Sequence, residues 1–137
     1  MRMNKQMKIL VIDIGGSSVK CVATGHRSPV KFKSGPQLTP ASMVRQVRQI
    51  TRGWRYAAVS IGYPGVVRDG RIAVEPHNLG SGWVGYDFAA AFGCPVKIIN
   101  DAAMQALGGY AGGKMLFLGL GTGLGSALIV DGAIAAM

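Results

Sequence analysis

The sequence predicts an α/β domain, and three observations carry that prediction. An apolar run with one acid, Ile9 to Ile14, breaks at Gly15-Gly16-Ser17-Ser18 and resumes at Val19, the pattern of a strand, a tight turn and a returning strand. A similar strand–turn–strand pattern recurs at Met115 to Val130 (MLFLGLGTGLGSALIV). Between the two, apolar runs of strand length alternate with stretches of helical periodicity.

The first turn is suited to anions. Gly15 and Gly16 lack a Cβ, so the backbone can approach a ligand closely. Its N–H groups, with the hydroxyls of Ser17 and Ser18, can donate to phosphate oxygens. Asp13 at the strand end can hold a divalent cation that screens those oxygens. A plain hairpin turn with an incidental acid accounts for these residues equally well. The second stretch adds weight to the first reading. With Asp13 set opposite Gly119, Gly15 falls on Gly121 and Ser17 on Gly123, a weak internal repeat of the kind a duplicated unit leaves. The alternating Gly119, Gly121, Gly123 and Gly125 do not fit the dinucleotide-binding pattern G-x-G-x-x-G, which opens a helix. The residues that follow, SALIVDGAI, have strand character.

Composition narrows the class. A chain of 137 residues can build one domain with a hydrophobic core, and a hydrophobic share of 49% excludes disorder. The 21 glycines lie in turns and not in a fixed period, which implies many backbone-lined loops and excludes a collagen-like chain. Fifteen Lys and Arg against six Asp and Glu give a formal charge of +9, favouring anionic partners such as a nucleotide, a phosphorylated sugar, polyphosphate or nucleic acid. Solubility together with a missing acidic portion explains the charge equally well. Cys21 and Cys94 have no metal-ligand spacing and read as buried, reduced thiols of a cytoplasmic protein. No apolar run approaches the ~20 residues of a membrane span. The basic start, MRMNKQMKIL, runs straight into the first strand, so no cleaved signal is expected.

The elements follow in order. Residues 1–7 are expected to be a frayed lead, with strands at about 8–14 and 18–25. The alternation in Pro29 to Ser34 predicts a third strand, broken by Gly35-Pro36. Thr39-Pro40 opens a helix, Thr39 as the cap and Pro40 at the first helical position. Met43, Val44, Val47 and Ile50 form its apolar face, leaving Arg45, Arg48 and Arg52 as a solvated face or a polyanion contact. Tyr56 to Ile61 is a fourth strand ending in Gly62-Tyr63-Pro64-Gly65, a turn that exposes backbone groups. Val66 to Val74 reads as a small hairpin with Asp69-Gly70 at its tip. The irregular stretch Glu75 to Trp83 is rich in polar and aromatic groups, as functional loops are. Asn78 within it suits hydroxyl binding, and His77 is a loop residue with no catalytic partner at a telling spacing. Tyr86 to Phe92 is a short helix ended by Gly93. Pro95 to Ile99 reads as a buried strand, and Ala102 to Tyr110 as a helix. Asn100-Asp101 between them lies at the ligand-facing edge of an open sheet. Asn100 can cap that helix and Asp101 complement its dipole; a carboxylate there can also accept a proton from a substrate hydroxyl. Ala111 to Lys114 is a flexible link.

This order resembles the sugar kinases of the actin-like ATPase superfamily, and most closely the ROK family, in particular its polyphosphate/ATP glucokinases. The residues that carry the resemblance are Asp13 to Lys20 (DIGGSSVK), Gly62 to Gly65 (GYPG), Asn78-Leu79-Gly80, Asn100-Asp101-Ala102 and Leu118 to Gly125 (LGLGTGLG). Each motif alone is weak, but five in this order span nearly the whole chain. The resemblance implies an actin-like (ribonuclease H-like) lobe with a mixed five-stranded sheet over residues 1–112. The first β-hairpin of a second, incomplete lobe would follow over 113–137. It implies a first phosphate loop at Gly15, Gly16, Ser17 and Ser18 with Lys20, and Asp13 helping to hold Mg²⁺. Gly121, Thr122 and Gly123 would form the second phosphate loop. Gly65, Asn78, Asn100 and Asp101 would line the site of a hexose, glucose being favoured. Asp101 would be the general base that takes the proton of the sugar 6-hydroxyl as it attacks the terminal phosphate of ATP or polyphosphate.

The chain also departs from that family. A later Glu-x-x-His element that contacts the sugar, a zinc-binding Cys/His cluster common in members and the nucleoside-binding part of the second lobe are absent from it. The expectation is a kinase lobe that is inactive or impaired alone, and a homo-oligomer formed through the apolar hairpin 115–131, whose edges lack partner strands. Two other classes compete. A repressor of the same family needs a DNA-binding motif ahead of the first strand, where only seven residues stand, so sequence-specific nucleic acid is not expected. A non-catalytic polyanion-binding module would rest on the charge and the arginines of residues 45–55, which lack an accompanying aromatic pattern.

Overall fold

The computed structural model describes residues 8–101 and the backbone of three short strands beyond them. The main sheet is mixed and five-stranded, in the order β3-β2-β1-β4-β7. β1 (Ile9–Ile14), β2 (Ser18–Ala23) and β3 (His26–Lys33) form an antiparallel meander. β4 (Ala58–Tyr63) pairs parallel to β1, and β7 (Val96–Asn100) parallel to β4. The third strand starts earlier than its alternation indicates, because β3 pairs as far back as His26, opposite Ala23.

Leu10, Ile12 and Ile14 of β1 alternate onto one face, with Val19 and Cys21 of β2 and Val59, Ile61 and Tyr63 of β4, and all are buried there. α1 (Pro40–Ile50) closes this face with Met43, Val44 and Val47. Its start is encoded locally: Thr39 is the cap, its Oγ1 accepting from the Ser42 N–H at 3.2 Å, and Pro40 occupies the first turn. All six residues of β4 are buried, as expected of a parallel strand covered on both faces. β7 corrects the expectation of a buried strand. It flanks the described sheet, and only Ile99 of its five residues is buried.

The arginines of α1 also depart from expectation. Arg48 is not simply solvated: its guanidinium donates to the Ala91 carbonyl at 2.7 Å and lies 5.9 Å from the Phe92 ring centroid, tying α1 to α2 (Phe88–Phe92). Desolvation is slight there, so the contact works mainly by orientation and cation–π attraction. α2 is capped by Asp87 and ends at Gly93 in the left-handed conformation, where glycine carries no Cβ penalty. The hairpin of β5 (Val67–Arg68) and β6 (Arg71–Ile72) turns through Asp69 and Gly70, both at positive φ, the geometry that favours Asp-Gly in two-residue turns.

The loop 75–83 is closed by its own first residue. The Glu75 carboxylate accepts from the N–H groups of Gly82 and Trp83 through Oε1 and of Val84 through Oε2, at 3.0–3.1 Å. Those donors hold its pKa below the ordinary carboxylate value, Val84 first and Trp83 next. The loop is also pinned to the entry of α1, where the Gly80 N–H donates to the Leu38 carbonyl at 2.9 Å. A Cβ on Gly80 would lie 2.9 Å from that same oxygen, so only glycine allows the approach. Trp83, at the loop's end, is a core residue, fully buried between Tyr63 and Phe88.

Beyond the main sheet, β8 (Leu116–Leu118), β9 (Ala127–Val130) and β10 (Ala133–Ala136) form a three-stranded antiparallel sheet with β9 in the middle. The expected hairpin therefore gains a third strand, and β9 is paired on both sides. The lead 1–7, the helix 102–110, the link 111–114 and the turn holding Gly121, Thr122 and Gly123 lie outside the described residues. Among the described residues no helix is long and apolar enough to cross a membrane. Cys21 is fully buried, and burial pushes its thiol pKa up to about 12, which keeps it neutral and unreactive; burial also raises that of the half-exposed Cys94.

Two stability predictions follow from the caps and the loop. Thr39→Ala removes the α1 cap and should cost about 1 kcal/mol in urea unfolding. Because its folded pKa is depressed, Glu75 contributes stability above its unfolded pKa, and this is lost as the pH falls through the folded value. Glu75→Gln should therefore lower stability at neutral pH and flatten the acid limb of stability against pH; an unchanged acid limb, followed by Trp83 fluorescence, would show that the loop does not depend on the carboxylate.

Candidate functional site

Three parallel strands deliver their carboxyl ends to one edge. In register, Asp13 of β1 lies beside Gly62 of β4, and Gly62 beside Ile99 of β7; one residue further, Tyr63 lies beside Asn100. The chain leaves this edge at three places: the turn after Ile14, the Pro64-Gly65 turn and the Asn100-Asp101 junction. Open sheets bind ligands outside such strand ends.

The first exit is the Gly15–Ser18 turn. The Gly15 N–H donates to the Ser18 carbonyl at 2.9 Å and so closes the turn instead of facing a ligand, a correction to the expectation that both glycine amides are donors. The N–H groups of Gly16 and Ser17 enter no hydrogen bond among the described residues. Gly16 is exposed, its φ is not positive, and a Cβ there would meet nothing within 4 Å. Among the described residues neither packing nor conformation requires glycine at this position, and without a Cβ the backbone there is open to close approach. Ser34, which the sequence pattern placed only at a strand end, braces the turn: its hydroxyl donates to the Gly15 carbonyl at 2.7 Å and its N–H to the Ser17 carbonyl at 3.1 Å. Asp13 is half-buried, with Oδ1 buried, and stands between Lys20 of β2 and Gly62 of β4.

The second and third exits are joined. The Asn100 amide donates to the Gly65 carbonyl at 2.8 Å, across 35 residues of chain. That side-chain group is directed at the Pro64-Gly65 turn, so Asn100 is a brace between strand ends. A Cβ on Gly65 would lie 2.7 Å from Cε2 of Tyr63, a ring that is fully buried and anchored by its hydroxyl to the Val74 carbonyl at 2.8 Å. Burial, reinforced by the Glu75 charge, pushes the Tyr63 pKa up to about 12, so the hydroxyl remains a donor. Asp101, half-exposed, follows where helical backbone begins.

The structure thus brings Asp13, Gly15–Ser18, Gly65, Asn100 and Asp101 to one sheet edge. Asn78 sits apart from them in hydrogen bonding: it is exposed on the loop 75–83 and bonded to none of them. A cavity of about 560 Å³ lined by Arg71, Ile72, Trp83, Tyr86, Val96 and Ile98 holds none of the predicted site residues. The contributions of Ser34 and Glu75 left no sequence signal, since both act on backbone groups several residues away. Among the described residues no three His, Cys, Asp or Glu side chains converge as a metal cage.

Known proteins resemble this chain in sequence and fold. The ROK family profile matches residues 9–136. The chain is 29% identical to the polyphosphate glucokinase of Mycobacterium tuberculosis over 90% of its own length and 53% of that protein. It is 30% identical to the bifunctional enzyme NanE/NanK of Brucella melitensis over 92% of its length and 27% of that protein. A crystal structure of a ROK family glucokinase from Streptomyces griseus in complex with glucose and AMPPNP aligns with a TM-score of 0.58 and 26% identity, over 93% of this chain and 46% of that one. The chain therefore spans about half the length of the glucokinases it matches. The family match over residues 9–136, on a mixed five-stranded sheet with its turns gathered at one edge, establishes that the chain belongs to the ROK family.

Proposed function

We propose that this chain is the substrate-binding lobe of a sugar kinase that transfers a phosphoryl group from ATP or polyphosphate to the 6-hydroxyl of a hexose, glucose foremost. The observation that carries the reading is the shared edge: an anion-suited turn with unengaged amides at Gly16 and Ser17, and a carboxylate at Asp101, both at the ends of parallel strands. The names of the relatives support the reaction class.

In this reading the Gly16 and Ser17 amides, the Ser17 and Ser18 hydroxyls and Lys20 bind the donor phosphates. The turn 121–123 meets them from the second lobe. The Gly65 backbone, Asn78, Asn100 and Asp101 hold the sugar hydroxyls. The sugar O6 attacks the terminal phosphorus, the bond from that phosphorus to the donor oxygen breaks, and the proton of the 6-hydroxyl passes to the Asp101 carboxylate. The donor leaves as ADP or as a shortened polyphosphate. The single carboxylate of Asp13 fits Mg²⁺ carried in on phosphates, since that ion keeps its waters and takes one or two protein carboxylates; bound there, it would neutralise phosphate charge. Positioning is then the lobe's main task, and the Asn100–Gly65 brace performs it by fixing two strand ends relative to each other.

The lobe would be completed by a second lobe or by another copy through the hairpin 115–131. A strictly monomeric mass by light scattering at high concentration would count against completion by another copy.

A coupled assay of glucose phosphorylation with Mg²⁺, using ATP and then polyphosphate, tests the reaction. Asp101→Ala should abolish any turnover; turnover that survives the substitution would remove Asp101 from the role of base. Gly65→Ala should cost about 1–3 kcal/mol of stability by overpacking against Tyr63 and weaken sugar binding through the Asn100 contact. Unaltered sugar affinity in that variant would separate the brace from the sugar site.

A further inference from the structure

We propose that Lys20, Lys31 and Lys33 form a subsite for a polyphosphate chain, continuing the Gly15–Ser18 turn along the β2–β3 ladder. The inference rests on the phosphate-donor reading above and deepens it by extending the donor surface to two residues of β3.

The register is the first argument. Lys20 lies directly opposite Lys31, and Ser18 directly opposite Lys33, so these side chains share one face of the sheet. Their strand neighbours define the other face: Val19 and Cys21 are buried, and Val30 and Phe32 pack against the core. All three lysines are exposed. Asp13 is opposite Lys20 on β1, so Asp13, Lys20 and Lys31 form one row across three strands. Ser34, next to Lys33, carries the two hydrogen bonds that brace the turn. The strip therefore begins at the turn and is fixed to it.

The energetics are the second argument. Like charges directly opposite in a sheet are destabilising. Lysines on an edge strand deter edge-to-edge pairing, which accounts for Lys31 and Lys33 on β3. Lys20, on β2 inside the sheet, has Asp13 directly opposite it, and that single carboxylate offsets only one of the three positive charges. A chain of repeated negative charges neutralises all three lysines at once, whereas an isolated phosphate at the turn cannot span them. Beside Lys33 and Ser34 opens a cavity of about 210 Å³, lined by Pro36 and Leu38 as well as Gln37, Ser42 and Gln46, which leaves open space at the end of the strip. The arginines of α1 offer no comparable strip, because Arg48 is engaged with Ala91 and Phe92.

The test is calorimetric binding of medium-chain polyphosphate to the chain and to a variant carrying Lys20→Gln, Lys31→Gln and Lys33→Gln, at two salt concentrations. The variant should bind about tenfold more weakly, the combined loss of three exposed ion pairs. Its salt dependence should be flatter, its loss of ATP affinity smaller, and its unfolding midpoint no lower than the parent's. Lys31→Gln alone, on the edge strand, should show a lesser loss in the same direction. Equal polyphosphate affinity in parent and variants, or no binding by the parent, overturns the proposal. So does an equal loss for a single-stranded oligonucleotide, which would mark a general polyanion surface. Asp101-dependent phosphorylation of glucose from ATP, beside polyphosphate affinity indifferent to the lysines, would overturn this inference and leave the kinase reading standing. Lysine-dependent polyphosphate binding in a chain that phosphorylates no hexose from either donor, alone or completed by its second lobe, would do the reverse.

Discussion

The parallel pairing of β1, β4 and β7 is the constraint on which the rest of the lobe depends. Parallel strands end at the same edge, and their register puts Asp13, Gly62 and Ile99 side by side. The segments that link them must cross the sheet, because a parallel neighbour cannot be reached by a tight hairpin. α1 and α2 lie in those crossings and bury the apolar face of the sheet. Each strand is then released into a turn of different chemistry at one place: small and amide-rich after β1, rigid after β4, carboxylate-bearing after β7.

Rigidity at that edge comes from close backbone approach. Gly65 sits against the Tyr63 ring and receives the Asn100 amide, and Gly80 touches the Leu38 carbonyl. Neither contact leaves space for a Cβ. The loop 75–83 adds a third device, its own glutamate occupying three consecutive backbone donors. Backbone N–H groups arranged in this way bind anions, and here the anion belongs to the chain. Sites assembled from such braces hold their geometry before a ligand arrives, which is where positioning contributes to catalysis.

Charge is distributed with similar economy. Of the arginines on α1, Arg48 serves packing between helices, while lysines accumulate where the sheet meets the first turn. A formal charge of +9 is therefore more than a diffuse solubility term. Its β2–β3 portion lies in register with Asp13, the acid of β1.

Short-range chemistry made much of this legible from the chain alone. The strand–turn–strand start, the Thr39-Pro40 helix entry, the Asp69-Gly70 turn and the Gly93 stop each depend on a few adjacent residues, so the sequence by itself determined them, and with them the lobe's class and its order of motifs. Tertiary structure decided what depends on distant residues. Asn100 meets Gly65 across 35 positions; Gly15 spends its amide on the turn while Gly16 does not; Trp83 became core, Arg48 a tie between helices and β7 a flanking strand. The 133–136 strand joined the hairpin for the same reason, since pairing partners are chosen among all available edges. Local propensity reports what a segment prefers, but which donor, edge or ring it meets is set only when packing brings remote residues into contact.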